Sequence, residues 1–246
     1  MEMILPFHIF MLQSMVNKKN NWLYYKWNIT RKLMINNRNF TSIIFDLGKV
    51  IINVNENKTY FSLSQLADFP QNIHFKISDL EDYFLFELGK ISDEEFFTSV
   101  RNKFHIANTD LYLIEQAWNA MILSIPSEKV TLLKSLVKSY QIFALSNTNS
   151  SHVKAINYLL HSNYQITDIR QLFHSVYFSH EVGLDKPHRE IFDYVIKNSN
   201  LSPESTLFID DNYQNIVAGK EMGLQTIHLT DPSKLINELE KFGITA

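Results

Sequence analysis

Thr41-Ser42-Ile43-Ile44-Phe45-Asp46-Leu47-Gly48-Lys49-Val50-Ile51-Ile52 is the stretch that decides the fold. An apolar, β-branched run that ends in a carboxylate and a glycine reads as a buried strand carrying an acid at its C-terminal tip. Thr206-Leu207-Phe208-Ile209 ends in the same manner, in Asp210-Asp211-Asn212. Two strands that deliver acids to one sheet edge predict a carboxylate site able to hold a metal. In open α/β sheets, ligands gather at that carboxyl edge. Taken singly, each piece has a plainer explanation: Asp46 and Gly48 could open a turn, and Asp211-Asn212 could cap the following helix.

Two further stretches belong with these. Gln141-Ile142-Phe143-Ala144-Leu145 is another strand candidate, followed by Ser146-Asn147-Thr148-Asn149 and a helical segment. A hydroxyl, an amide and the N–H groups of a helix start form an anion cradle, although an ordinary capped helix explains the same residues. In Gly183-Leu184-Asp185-Lys186-Pro187-His188, Pro187 suits the first turn of a helix running through Phe192 and Tyr194. A cation placed just ahead of a helix is disfavoured unless an anion lies near it. Lys186 is therefore expected to face an anion.

The order strand-Asp, Ser-Asn, Lys-Pro, Asp-Asp resembles the four-motif signature of the haloacid dehalogenase-like hydrolase superfamily, most of whose members are phosphatases. The likeness spans roughly Ser42 to Gly243. Phe45-Asp46-Leu47-Gly48 with Leu145-Ser146-Asn147-Thr148-Asn149 is most similar to a branch that includes bacterial sugar-phosphate phosphatases, such as the α-D-glucose-1-phosphate phosphatase. The resemblance implies a Mg²⁺-dependent hydrolysis of a small phosphorylated metabolite through an aspartyl-phosphate. Asp46 would be the nucleophile, and Asp46, the Gly48 carbonyl and Asp211 the metal ligands, with Asp210 and Asn215 supporting them. Ser146, Asn147 and Lys186 would hold the phosphoryl oxygens.

One position departs from the family pattern. Many of these phosphatases carry a second Asp two residues after the nucleophile, where it protonates the leaving oxygen. Here that residue is Gly48. The gap favours activated or anomeric esters, whose leaving groups need less protonation. A metal-independent 2-haloacid dehalogenase would share the strand-tip Asp but has no use for Asp210 and Asp211. A catalytically weak binding protein is the other alternative, and it rests on Gly48.

Composition agrees with a globular enzyme. A chain of 246 residues, 45% of them hydrophobic, buries a sizeable core as one large domain or two modest ones. A net charge of -3 offers no basic footprint, so nucleic acid is not an expected partner. The absence of cysteine excludes disulfides and thiolate metal sites and is compatible with a cytoplasmic protein. The histidines show no ligand spacing, and only His180 and His188 are kept as pocket candidates. Met3 to Leu12 is apolar but too short to span a bilayer, and Glu2 stands where a secretory signal has a basic start. Residues 1–39 are expected to be a leader, disordered or preceding a true start at Met34. A membrane-surface or partner-binding tail is the alternative.

The expected architecture is a Rossmann-like parallel sheet with helices on both faces, formed by residues 40–55 and 127–246, and a helical cap at 56–126. Four amphipathic stretches build the cap: Leu63, Leu66 and Ala67; Leu80, Tyr83, Phe84 and Leu88; Phe96, Phe97, Val100 and Phe104; Leu111, Ile114, Ala117 and Met121. No strand is expected within it, and its aromatics are read as core. Ser92 before Asp93-Glu94-Glu95 marks a helix start. The hinges are expected near Asn53 to Asn57 and Ile125 to Glu128. A monomer or homodimer fits equally.

Overall fold

The computed structural model describes residues 40–67, 80 and 82–245. The expected leader, residues 1–39, lies outside them. Phe40–Glu238 form one compact unit. Leu239–Thr245, assigned to a second unit, carry the end of the last helix and a turn at Gly243.

Five parallel strands make the central sheet: β1 (Ser42–Phe45), β4 (Gln141–Ser146), β5 (Ser175–Phe178), β6 (Thr206–Asp210) and β7 (Gln225–His228), in the order β5-β4-β1-β6-β7. Period-2 alternation assigns the faces. Ile44 is in register with Phe143 and Phe208, and all three join one buried cluster with Ile191 and Phe192 of the helix Arg189–Asn198 and Ile216 of the helix Tyr213–Glu221. Ile43 and Phe45 turn to the other face and are fully buried there as well. Helices on both faces explain why the strands read as continuous apolar runs. The chain leaves β1 for β4 and β5 on one side and returns to β6 and β7 on the other. Beside β1 the order therefore reverses, and a crevice opens at the strand tips.

Between β1 and β4 the chain inserts α1 (Glu56–Leu66), α2 (Tyr83–Glu87), α3 (Asp93–Lys103) and α4 (Leu111–Asn119). Ser92 and Glu95 form a reciprocal capping box at the start of α3, as the sequence predicts. The insert has its own aromatic core, in which Phe86 stacks on Phe96 at 4.2 Å and Phe96 meets the edge of Trp118 at 4.8 Å.

Two expectations change here. Ile122–Ser124 is a short strand, β3, that pairs antiparallel with β2 (Asn53–Val54), so a two-stranded ribbon stands where the hinges were placed. Pairs this short carry no alternating pattern, which is why the sequence concealed them. In α2 the core residue is Phe86, whereas Phe84 is exposed, because this helix is only five residues long and its face is set by what it packs against. No helix among the described residues is long and apolar enough to cross a membrane.

Candidate active site

β1 ends at Phe45, and the next residue, Asp46, is tied to β6 by its N–H donating to Ile209 O at 2.8 Å. β6 ends in Asp210, with Asp211 following. Oxygens of Asp46, Asp210 and Asp211 lie within 4.8 Å of one another, a spacing suited to one cation. Lys186 reaches into this group. Its Nζ donates to Asp46 Oδ1 at 2.7 Å, to Asp210 Oδ2 at 2.7 Å and to Leu145 O at 2.8 Å. Lys186 is 3% exposed, Asp46 7% and Asp210 fully buried.

Charge at this point is unbalanced, with three carboxylates against one ammonium. Burial pushes the Asp46 carboxyl up to about 7; Lys186 opposes the shift, and Asp210 and Asp211 add to it. Asp211 is also raised, by its own burial and by Asp210. Burial alone would lower the pKa of Lys186, but the charges of Asp46 and Asp210 outweigh it and hold the ammonium protonated. A hard divalent cation relieves exactly such a surplus of oxygen donors, so the residues present fit Mg²⁺.

The carboxylates are not equivalent. Asp210 accepts from Lys186, from the Asn212 N–H at 2.8 Å and from Asn215 Nδ2 on both oxygens, at 3.1 and 3.0 Å. Its oxygens are spent within the protein. Asp211 is only half-buried and lines the cavity, which leaves it open to a ligand. The helix beyond begins at Tyr213, because Asn212 caps it by accepting from the Gln214 N–H. Asn215 is thereby set in the first turn, against Asp210.

β4 ends in Ser146, which is buried and lines the same cavity. Asn149 caps the helix Ser150–Tyr164 by accepting from the His152 N–H. The plain reading of a capped helix therefore holds for Asn149, and the ligand-facing reading is left to Ser146 and Asn147. The side chain of Asn147 has a task the sequence did not reveal: Oδ1 accepts from the Lys186 N–H at 2.9 Å and Nδ2 donates to the Lys186 carbonyl at 2.7 Å. Its Oδ1 and one of the two N–H groups of its amide are thereby used in fixing Lys186. This pairing also corrects the place of Pro187. The Lys186–Pro187 peptide is cis, and the helix starts at Arg189 with His188 as its cap.

Gly48 needs no glycine on steric grounds, since an added Cβ would meet Val54 Cγ2 at 3.8 Å and Asp46 Oδ2 at 4.0 Å, both ordinary contacts. Neither candidate histidine reaches the cavity. His180 Nδ1 lies 3.2 Å from Thr148 O, and His188 sits outside on Asp185. His152 lines the cavity instead, stacked on Trp118 at 5.4 Å, and burial lowers its pKa to about 4. Sequence reading also missed Lys49, Glu56, Tyr83 and Glu87, which border this cavity of about 490 Å³. Lys49 pairs with Glu56 of α1 at 2.6 Å, a contact between the loop after Asp46 and the insert. None of these four has a motif to mark it.

The haloacid dehalogenase-like hydrolase family model matches residues 40–223. The D-ribitol-5-phosphate phosphatase of Bacteroides thetaiotaomicron is 31% identical over 201 residues, 75% of this chain and 89% of that protein. The sesquiterpene phosphatase astK of Aspergillus oryzae is 24% identical over 82% of this chain and 96% of its own. A haloacid dehalogenase family enzyme of Bacteroides thetaiotaomicron, solved in complex with magnesium and inorganic phosphate, superposes with a TM-score of 0.68 at 29% identity, covering 76% of this chain and 93% of that one.

Proposed function

Because the chain belongs to the haloacid dehalogenase-like hydrolase family, we propose that it is a Mg²⁺-dependent phosphatase of small phosphorylated metabolites, sugar or polyol phosphates in particular. The observation that carries this reading is the contact of Lys186 Nζ with both Asp46 and Asp210 at 2.7 Å, in a cavity where Asp211 completes a three-carboxylate group.

Asp46 attacks phosphorus in line and the bond to the leaving oxygen breaks, giving an aspartyl-phosphate that water then cleaves. One difficult displacement becomes two easier ones. Lys186 offsets charge on the nucleophile and on the phosphoryl group, and Asn147 holds its backbone in place. The Ser146 hydroxyl and the Asn147 backbone N–H donate to phosphoryl oxygens. Asp46, the Gly48 carbonyl and Asp211 hold the metal, while Asp210 and Asn215 orient Lys186 and the first ligands. When bound, Mg²⁺ supplies the positive charge that phosphoryl transfer requires. The helical insert acts as a cap that encloses the reaction and excludes water.

Release of phosphate from p-nitrophenyl phosphate and a sugar-phosphate panel is expected with Mg²⁺ and to be lost on adding EDTA. Halide release from a 2-haloacid without metal would select the dehalogenase reading, and no turnover of either kind the binding protein. The room beside Gly48 gives a second test. Gly48→Asp sets a carboxyl near Asp46 and is expected to raise kcat/KM on unactivated alkyl phosphates by roughly 10-fold or more, relative to p-nitrophenyl phosphate. An unchanged ratio would mean that proton donation is supplied elsewhere.

A further inference from the structure

The floor of the cavity is built to take a phosphate, so the rest of a bound ester must lie toward the insert. There it meets Tyr60, Tyr83, Glu87 and Trp118. Lys49 and Lys186 are the cations among the described lining residues, and both are committed, Lys49 to Glu56 and Lys186 to Asp46 and Asp210. His152 is uncharged near neutral pH, its pKa having been lowered to about 4. No unpaired positive charge therefore faces the distal part of a substrate among these residues.

Glu87 is held where it matters. The turn after α2 has Gly89 at φ 63, and a Cβ there would lie 1.9 Å from the His180 carbonyl oxygen, so insert and core backbones touch at this point. The residue before His180 is Ser179, whose hydroxyl takes the Thr148 N–H and donates to the Thr148 carbonyl, in the loop that carries Ser146 and Asn147. Glu87, two residues before Gly89, thus lines the same cavity as Ser146 and Asn147 from a packed backbone. Burial pushes its carboxyl up to about 7, with Tyr83 pulling down and Asp185 adding to the rise.

We propose that the site selects phosphate monoesters whose remaining part is uncharged and rich in hydroxyl groups, and that Glu87 rejects esters carrying a second anion. The proposal rests on the phosphatase reading. A carboxyl and two phenols exchange hydrogen bonds with hydroxyls in either direction, and the indole face covers a carbon chain. A distal carboxylate or second phosphate meets a like charge with no counter-ion to offset it.

The test compares erythritol 4-phosphate with 4-phosphoerythronate, which differ only in CH₂OH against COO⁻, at pH 8 with Mg²⁺. Erythritol 4-phosphate, with its uncharged distal end, is expected to be preferred in kcat/KM by about 50-fold or more, and Glu87→Lys to reduce that preference by at least about 10-fold. Glu87→Gln serves the same purpose if the lysine variant does not fold. Similar rates on both esters, an unchanged preference in the variants, or turnover of p-nitrophenyl phosphate with neither ester would overturn the proposal and leave the phosphatase reading standing. Failure on all three substrates would overturn both.

Discussion

Asp46→Asn is expected to abolish phosphate release, by roughly 10⁴-fold or more, while the protein stays as stable as before or becomes slightly more so. The amide keeps the size of the side chain but cannot form the acyl phosphate. It also removes one of three clustered carboxylates, in a place where burial already disfavours the ionised form. Lys186 keeps Asp210 as its partner. Loss of turnover without loss of melting temperature is therefore the signature, read by phosphate release and thermal unfolding on the same sample. A variant that retained activity within 10-fold would remove Asp46 from the nucleophile's role.

Lys186→Met should lower turnover by about 10³-fold or more and, unlike the first variant, destabilise the fold by about 3–5 kcal/mol. Asp46 and Asp210 are then left buried without their cation. The pH dependence follows in sign. Without Lys186 the folded-state pKa of Asp46, already raised to about 7 by burial, rises further above its unfolded value, so the folded protein binds more protons than the unfolded one. Stability is then present at low pH and lost as pH rises through the folded-state pKa of Asp46; the wild type shares that loss up to about pH 7, so the deficit relative to wild type grows above about pH 7. Chemical denaturation at several pH values measures it. A deficit that shrank with rising pH would contradict the ion cluster.

Much of this was legible in the chain. The three inner strands β1, β4 and β6 are apolar runs, because a doubly covered parallel strand must be apolar on both faces, and their tips carry Asp46, Ser146 and Asp210 by simple adjacency. Lys186 was legible through electrostatics, since a lone cation ahead of a helix called for an anion. The cavity's other wall was not. Lys49, Glu56, Tyr83 and Glu87 lie in segments whose periodicity reports only which face is buried, and His152 reads as one residue of a helix. Phe86 was missed in favour of Phe84 for a related reason, since in a five-residue helix the apolar pattern is too short to fix a face.

The sequence by itself determined the alternation of the parallel strands with helices, the acids at the strand tips and the chemistry those acids suit, because these depend on neighbours a few residues apart. Only the tertiary structure decided that Asn147 spends its amide on Lys186, that Asp210 is saturated while Asp211 is open, and that Glu87 lines the same cavity as Asp46 and Ser146. Those facts depend on which distant backbones touch, as at Gly89 and His180, and on which hydrogen bonds are already taken once they do. Local pattern carries no record of either.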